Sequence, residues 1–368
     1  MSRLIALVIK EFLTLLKDPK SRFVVIGPPV IQLIVFGYAA TYDVTDIPLA
    51  VYNESRDGVA RDLVSHFTGS PNFRLTAVID RDDDMADLIE RRDALVVLHI
   101  PTDFRRQLEQ YRSARVQLIV DGRESNTALI TVGYALSIIE TFNRKWVVRN
   151  GGREAPAKLE IRSWYNPNMQ SRWFIVPGIA GILTLVVTML VTALSVARER
   201  EQGTFDQLLV TPYRPWEILI GKALPGFLIG VVEASFIIAM AILWFRVPFV
   251  GNPATLYTGI FLFVLAAIGV GLSISSLAVT QQQALLGAFL FLVLAIILSG
   301  FATPIANMAP PVQYLTYVNP LRYFEIILRS VFLEGAGFEL LWPQFWPLAV
   351  IAAVTLTTAT LMFRRRVA

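Results

Sequence analysis

The chain has 368 residues, of which 54% are hydrophobic, 17% charged and 11% aromatic, with a formal net charge of +4 and no cysteine. An average soluble domain is about 45–50% apolar and about 25% charged, so this composition excludes an ordinary soluble protein. Zero cysteine excludes disulfides, thiolate metal sites and cysteine nucleophiles, and having only two histidines, His66 and His99, argues against a histidine-built metal site or triad.

The charges are unevenly spread. Residues 43–172 hold 18 Lys and Arg and 19 Asp and Glu, which is 37 of the 62 charges. The expected organisation is one soluble α/β domain embedded in an α-helical membrane protein.

Residues 1–22 begin as an amphipathic helix. Arg3, Lys10, Thr14 and Lys17 share one face, and Leu4, Ile5, Val8, Phe12, Leu15 and Leu16 gather opposite. The pattern predicts a helix in the cytoplasmic leaflet interface with its lysines toward phospholipid headgroups, rather than a cleavable signal peptide. Asp18-Pro19 is expected to end it.

A bilayer core about 30 Å thick needs about 20 mostly apolar residues per helix. Six stretches qualify: Phe23–Tyr42, Trp173–Ala197, Ala223–Phe245, Thr255–Val279, Ala284–Pro304 and Phe345–Phe363. Gly27-Pro28-Pro29 is expected to kink the first or delay its start. Residues 1–22, the loop 198–222 and the tail carry 12 Lys and Arg, against Arg246, Arg322 and Arg329 in the two short loops opposite. The positive-inside bias therefore predicts cytoplasmic termini and an outward-facing segment 43–172.

Within that segment, short apolar runs alternate with helical patterns. Ile47–Asn53, Phe73–Asp80, Ala94–Ile100, Val116–Asp121 and Lys158–Trp164 read as strands. Asp57–Phe67, Asp82–Arg92, Pro101–Tyr111 and Ser125–Val148 read as helices. The run Asp80, Asp82, Asp83, Asp84 opens a helix, where carboxylates are expected, and lacks EF-hand spacing. No metal site and no catalytic cluster are expected.

The loop "RERE QGTFDQLLVTPYRPWEILIGK", Arg198–Lys222, is charged and then amphipathic. Gly203 breaks the second span, Thr204 suits a cap, and Phe205, Leu208 and Leu209 recur at i, i+3, i+4. This predicts a charged knob projecting into the cytoplasm.

Through this loop the chain resembles the permease subunits of ABC exporters of the ABC-2 type. The family pattern R-E-R-E-x-G-T-x-x-x-L-L-V-T-P is matched by Arg198, Glu199, Arg200, Glu201, Gly203, Thr204, Leu208, Leu209, Val210, Thr211 and Pro212. "WYNP…SRWFIVPGIAGIL", from Trp164 through Leu183, and "SGFATPIANMAPPVQYLTYVNPLRYFEIILRSVFLEG", from Ser299 through Gly335, resemble two further family segments. One departure is Ala309, where the family often has Met-Pro directly; Pro310 follows one place later.

The resemblance implies a multi-pass permease of a bacterial inner membrane, exporting drugs or other small amphiphiles. It implies cytoplasmic ABC ATPase subunits as partners, a second permease, identical or paralogous, completing a dimer, and a periplasmic adaptor as a further partner. ATP and magnesium belong to the ATPase; the one Gly-Lys pair, Gly221-Lys222, lacks the spacing of a phosphate-cradling loop. No nucleic acid is expected as partner and no enzyme activity of the chain's own. Arg198, Glu199, Arg200, Glu201, Gly203, Thr204, Phe205, Leu208 and Leu209 take the ATPase-coupling role. Lipid or polysaccharide export is the alternative cargo, and a membrane sensor or channel the alternative class.

Residues for the cargo path are read from the spans themselves. Glu233 lies deep in span three, as either a path or dimer-interface residue or a partnered structural carboxylate. Thr184, Thr188 and Thr192 share one face of span two, suiting a path or helix packing equally. Asn319-Pro320 opens an apolar stripe of Leu321, Phe324, Ile327, Leu328 and Val331. Arg322, Glu325 and Arg329 take other faces, and Glu325 and Arg329, at i, i+4, are expected to pair. By resemblance this segment, 305–341, forms short re-entrant helices lining or gating the exit.

Overall fold

The structure is a computed structural model that describes residues 2–17, 19–39, 44–111, 113–123, 125–151, 164–167, 170–204 and 215–367. In chain order the elements begin with α1 (Ser2–Lys17), α2 (Pro19–Ala39), β1 (Ile47–Asn53), α3 (Gly58–Thr68), β2 (Phe73–Ile79), α4 (Asp83–Glu90) and β3 (Val96–Ile100). Then come α5 (Phe104–Tyr111), β4 (Gln117–Val120), α6 (Ser125–Arg149), α7 (Ser171–Glu201), α8 (Pro215–Leu243) and α9 (Pro253–Leu277). α10 (Gln281–Ile297), α11 (Pro310–Leu315), α12 (Pro320–Arg329) and α13 (Phe338–Val367) complete the chain. They divide into two compact units, Met1–Thr41 with Ser163–Ala368, and Tyr42–Arg162.

The smaller unit is built on a four-stranded sheet of order β2-β1-β3-β4. β1 pairs in parallel with β2 and β3, and β3 pairs antiparallel with β4. β1 reads IPLAVYN because both its faces are covered, as a central parallel strand requires. Ile47, Leu49 and Val51 meet Leu63, Phe67, Phe104 and Phe142 on one side; Ala50 and Tyr52 meet Met85 and Ala94 on the other. Asp57 caps α3, its carboxylate accepting from the amides of Val59 at 2.7 Å and Ala60 at 2.8 Å. The expected strand Lys158–Trp164 lies outside the described residues except for Trp164, which sits in a bend.

The larger unit is a helical bundle centred on α7. Of its apolar window, 78% is buried, against 28% for α13 at the periphery. α7 packs on α2, α8, α9, α10 and α12, and α9 and α13 run along each other. Small residues make this possible: at Gly269 an added Cβ would stand 2.3 Å from the Thr355 hydroxyl. Among the described residues α7, α8, α9 and α13 are long and apolar enough to cross a membrane. The apolar stretches Gly27–Tyr38 within α2 and Gln281–Ile297 are shorter. Large apolar side chains face outward on α2, α8 and α10, including Val35, Val232, Phe289 and Leu290, a surface that hydrocarbon suits.

Three helices depart from the bounds of the apolar runs. α2 runs on through Gly27-Pro28-Pro29 without a delayed start. The two prolines delete only the bonds back to residues 24 and 25, while Leu33 is buried and Gly37 closes on the Phe245 ring. α8 also begins at Pro215, earlier than the apolar run, because Pro215 suits a first turn. α10 ends at Ile297, before Pro304, in a turn at Leu298–Gly300.

α1 differs in which face it buries. Leu7 and Glu11 are buried, whereas Ile5, Ile9 and Leu13 are exposed. The cause is docking on α8, where Gly221 leaves room for Leu7: a Cβ there would meet its Cδ2 at 2.3 Å.

Candidate functional site

α7 ends where a left-handed residue is needed. Gly203, at φ +67°, reverses the chain, and the Thr204 amide returns to the Glu199 carbonyl at 2.9 Å. The Thr204 hydroxyl donates to the same carbonyl at 3.3 Å. The last turn of α7 is tied to four other helices.

On one side Glu199, 7% exposed, accepts from Lys10 Nζ at 2.7 Å and lies 2.6 Å from Lys222 Nζ. Lys222 Nζ is also 3.3 Å from Glu11 Oε1. Two cations and two carboxylates from α1, α7 and α8 thus neutralise one another, Lys222 and both carboxylates buried and Lys10 half exposed at the edge, an arrangement that offsets the cost of burying charge. Lys10 thus pairs with Glu199 while its side chain stays half exposed. On the other side Arg200 Nη1 donates to the carbonyls of Ser276 at 2.9 Å and Ala278 at 3.0 Å. The Gln281 amide, opening α10, donates to Glu201 Oε2 at 2.8 Å. Arg198 is half-buried at the same level. Phe205, Leu208 and Leu209 lie outside the described residues.

Toward the other end of α7 lies a second constellation. α12 starts at Asn319, whose Oδ1 caps the Leu321 amide at 3.1 Å while its Nδ2 donates to Ala295 O of α10 at 2.8 Å. Pro320 fills the first turn, where its missing N–H costs nothing. The expected stripe Leu321, Phe324, Ile327, Leu328 and Val331 is fully buried. Glu325, 1% exposed, pairs with Arg329 at 3.1 Å as its spacing foretold. Its carboxylate presses on α7 where side chains are missing: a Cβ at Gly178 or Gly181 would lie 3.0 Å from one or other oxygen. The Arg329 guanidinium stacks 4.0 Å over Phe174, itself stacked on Phe301. Arg322 lies apart, bonded to the Thr316 hydroxyl and 4.1 Å over the Tyr317 ring.

Between the two, α7 carries Thr184, Thr188 and Thr192, all buried. α8 crosses this face closely. A Cβ at Gly226 would meet Thr192 Cγ2 at 2.5 Å, and one at Gly230 would meet Thr188 Oγ1 at 2.4 Å. The two contacts set an antiparallel register that brings the next turn of α8, with Glu233, to the level of Thr184. Gly181 and Thr188 are seven residues apart, two helical turns, so α12 and α8 occupy the same face of α7 about 10 Å apart along its axis. By this register Glu233 falls at the level of Thr184 and Thr188, and Glu325 and Arg329 lie further along the same face of α7. Asn319, Pro320 and Arg322 stand at the start of α12, and the 198–204 group at the far end of α7.

Sequence reasoning missed Glu11 and Lys222 as cluster members. The one local signal was Gly221 beside Lys222, a small residue that lets α1 approach.

In the smaller unit no three His, Asp or Glu side chains converge as a metal site among the described residues. Asp80 pairs with Arg56 at 2.5 Å and Asp83 with Arg81 at 3.2 Å. His66 Nε2 lies 3.1 Å from Lys145 Nζ, and His99 stacks on Tyr52 with Nε2 3.2 Å from Glu54. The His99 and Tyr52 contacts hold Glu54 below its ordinary carboxylate value. Arg123, bidentate to Asp121, holds that carboxyl at about 2.

Comparison with known proteins gives a consistent picture. A family model described as "ABC-2 family transporter protein" matches residues 20–361. The chain is 39% identical to the probable multidrug ABC transporter permease YbhR of Escherichia coli over 99% of both chains. It is 33% identical to the probable multidrug ABC transporter permease YbhS over 90% of this chain and 89% of that one. It is 29% identical to the inner membrane transport permease YhhJ over 87% and 86%.

Proposed function

Because the chain belongs to the ABC-2 family of transporter proteins, we propose that it is the membrane permease of an exporter energised by separate ATPase subunits. In this reading α2, α7, α8, α9, α10 and α13 are six spans, both termini are cytoplasmic, and residues 43–172 face outward. Two permeases pair, identical or paralogous, in a bacterial inner membrane. A periplasmic adaptor meets the outward segment. The cargo is a drug or another small amphiphile, in keeping with the names of its relatives.

One observation supports the coupling part of this reading above others. The last turn of α7 is held at once by α1, α8, α9 and α10, through Lys10, Lys222, Arg200 and Glu201. A force applied to the loop that follows reaches all four helices without first taking up slack. A partner that closes on this loop as it hydrolyses ATP, with its own magnesium, moves the bundle as one body. Arg198, Gly203, Thr204, Phe205, Leu208 and Leu209 would complete the contact surface. Glu233, Thr184, Thr188, Glu325 and Arg329 would line the route beyond it, and Asn319, Pro320 and Arg322 would set α12 as its outer gate.

The test is co-reconstitution with the cognate ATPase in liposomes. Glu201→Lys breaks the tie to Gln281 and reverses an exposed charge while sparing the buried cluster. It should insert normally yet lose cargo-stimulated ATP hydrolysis. Full stimulation in that variant, or uphill transport by the permease with no ATPase present, would remove the proposal.

A further inference from the structure

Among the described residues four carboxylates are buried in the helical unit: Glu11, Glu199, Glu233 and Glu325. Three are answered by a cation within 4 Å: Glu11 and Glu199 by Lys10 and Lys222, Glu325 by Arg329. Glu233 has no such cation among the described residues, and neither of its oxygens has a hydrogen-bond partner there. We propose that Glu233 is the recognition carboxylate for a cationic amphiphile that seats in the seam between α7 and α8. The proposal rests on the export reading and names the substrate class of that route.

The neighbourhood supports a missing cation better than a missing structural bond. Two hydroxyls at this level are bonded elsewhere. Thr184 Oγ1 donates to Ala180 O at 2.8 Å. Ser235 Oγ donates to Val231 O at 2.7 Å and accepts from Tyr257 OH at 2.9 Å. Among the described residues Thr188 Oγ1, which faces Gly230 one turn from Glu233, is also without a hydrogen-bond partner. Around them the seam is apolar, with Val264 against Gly230 and Ala234, Ile237 and Ala241 buried along α8.

A lone carboxylate in a hydrocarbon interior is among the costliest arrangements a membrane protein can carry, and such groups mark substrate pathways. A positive head group cancels that cost, the Thr188 hydroxyl gives it a second polar contact, and an apolar body covers the helix faces. An anion of the same shape meets repulsion, and a neutral one gains nothing from the carboxylate. Selectivity follows from the differential interaction, not from the size of the seam.

The probes are tetraphenylphosphonium, a permanent cation, and triphenylphosphine oxide, a neutral relative, bound to the full chain in lipid nanodiscs with empty nanodiscs subtracted. Wild type should bind the phosphonium saturably, and Glu233→Gln should bind it at least tenfold more weakly while binding the phosphine oxide unchanged. Glu233→Asp, which keeps the charge, should fall in between. A second measurement needs no variant. Dicyclohexylcarbodiimide adds covalently to carboxyl groups in apolar surroundings, and mass spectrometry reads the adduct at Glu233. The phosphonium should protect Glu233 and the phosphine oxide should not. Equal phosphonium binding in Glu233→Gln, no saturable binding in wild type, or labelling unaffected by the phosphonium would each overturn the inference. ATP-driven transport in the co-reconstituted system separates the two readings. Transport without a Glu233 effect sinks this inference alone, whereas Glu233-dependent binding without ATP-driven transport sinks the export reading alone.

Discussion

Lys222 Nζ stands 2.6 Å from Glu199 Oε2, joining the start of α8 to the end of α7 through a lysine side chain with no solvent exposure. Residues 205–214 lie between these two in the chain. The first turns of α8 are therefore tied to the last turn of α7, and the tie also holds α1 through Lys10 and Glu11.

Removing one member of this cluster leaves a charge buried without its partner, which costs about 3–5 kcal/mol. Lys222→Met should therefore lower the thermal midpoint of the detergent-solubilised protein sharply, as read by the loss of monodisperse protein on heating. Glu199→Gln added to Lys222→Met should recover part of the loss, because it leaves one carboxylate, Glu11, for the one remaining lysine, Lys10. A double variant less stable than the single would contradict the pairing.

Gly178 and Gly181 let Glu325 lie against the backbone of α7. A Cβ at Gly178 would also come within 2.4 Å of the Phe301 ring. Gly178→Val should therefore unseat the Phe301–Phe174–Arg329 stack and cost about 1–3 kcal/mol through overpacking. Tryptic cleavage at Arg329 reports it directly: the variant should be cut and wild type resist. Equal resistance would show that α12 tolerates a side chain there.

Asn319 performs two tasks with one side chain. Asn319→Ala removes the cap, worth about 0.5–2 kcal/mol, and strands the buried Ala295 carbonyl, costing about 1–3 kcal/mol more. Asn319→Asp keeps the cap acceptor but cannot donate to Ala295 O when ionised, and it adds a buried charge. Both variants should melt lower than wild type. An Asp variant as stable as wild type would deny the Ala295 contact its weight.

Asp121 supplies an acid-side signature. Its folded value of about 2 lies below its ordinary 3.8, so its contribution is present above the unfolded value and is lost as pH falls through the folded one. Arg123→Ala removes the largest cause of the depression. The stability difference between wild type and this variant should be constant above about pH 5 and shrink toward pH 2. It should not vanish, because Arg123 also donates to Ile89 O at 2.5 Å, a bond that does not titrate. A difference independent of pH would deny Asp121 this role.

Much of the local structure was legible in the sequence because it depends on neighbours along the chain. The run IPLAVYN announced a strand covered on both faces, Gly203 a helix end, Asn319-Pro320 a helix start, and Glu325 and Arg329 a pair. The threonines of α7 fell on one face by periodicity alone.

By itself the sequence determined which segments are apolar, which are helical and which extended, and which residues share a face. Only the tertiary structure decided what each face meets. Lys10 finds Glu199 189 positions away, Lys222 finds Glu11 211 positions away, and Glu325 settles on two glycines of α7. Periodicity orders residues around one axis, but pairing between axes depends on crossing and register. Those are set by where small residues let backbones close and where buried charges must be answered, and a local run of sequence names neither partner. For the same reason the sequence marked Glu233 as costly, while only the packed bundle showed it to be, among the described residues, the one buried carboxylate of the unit with no cation beside it.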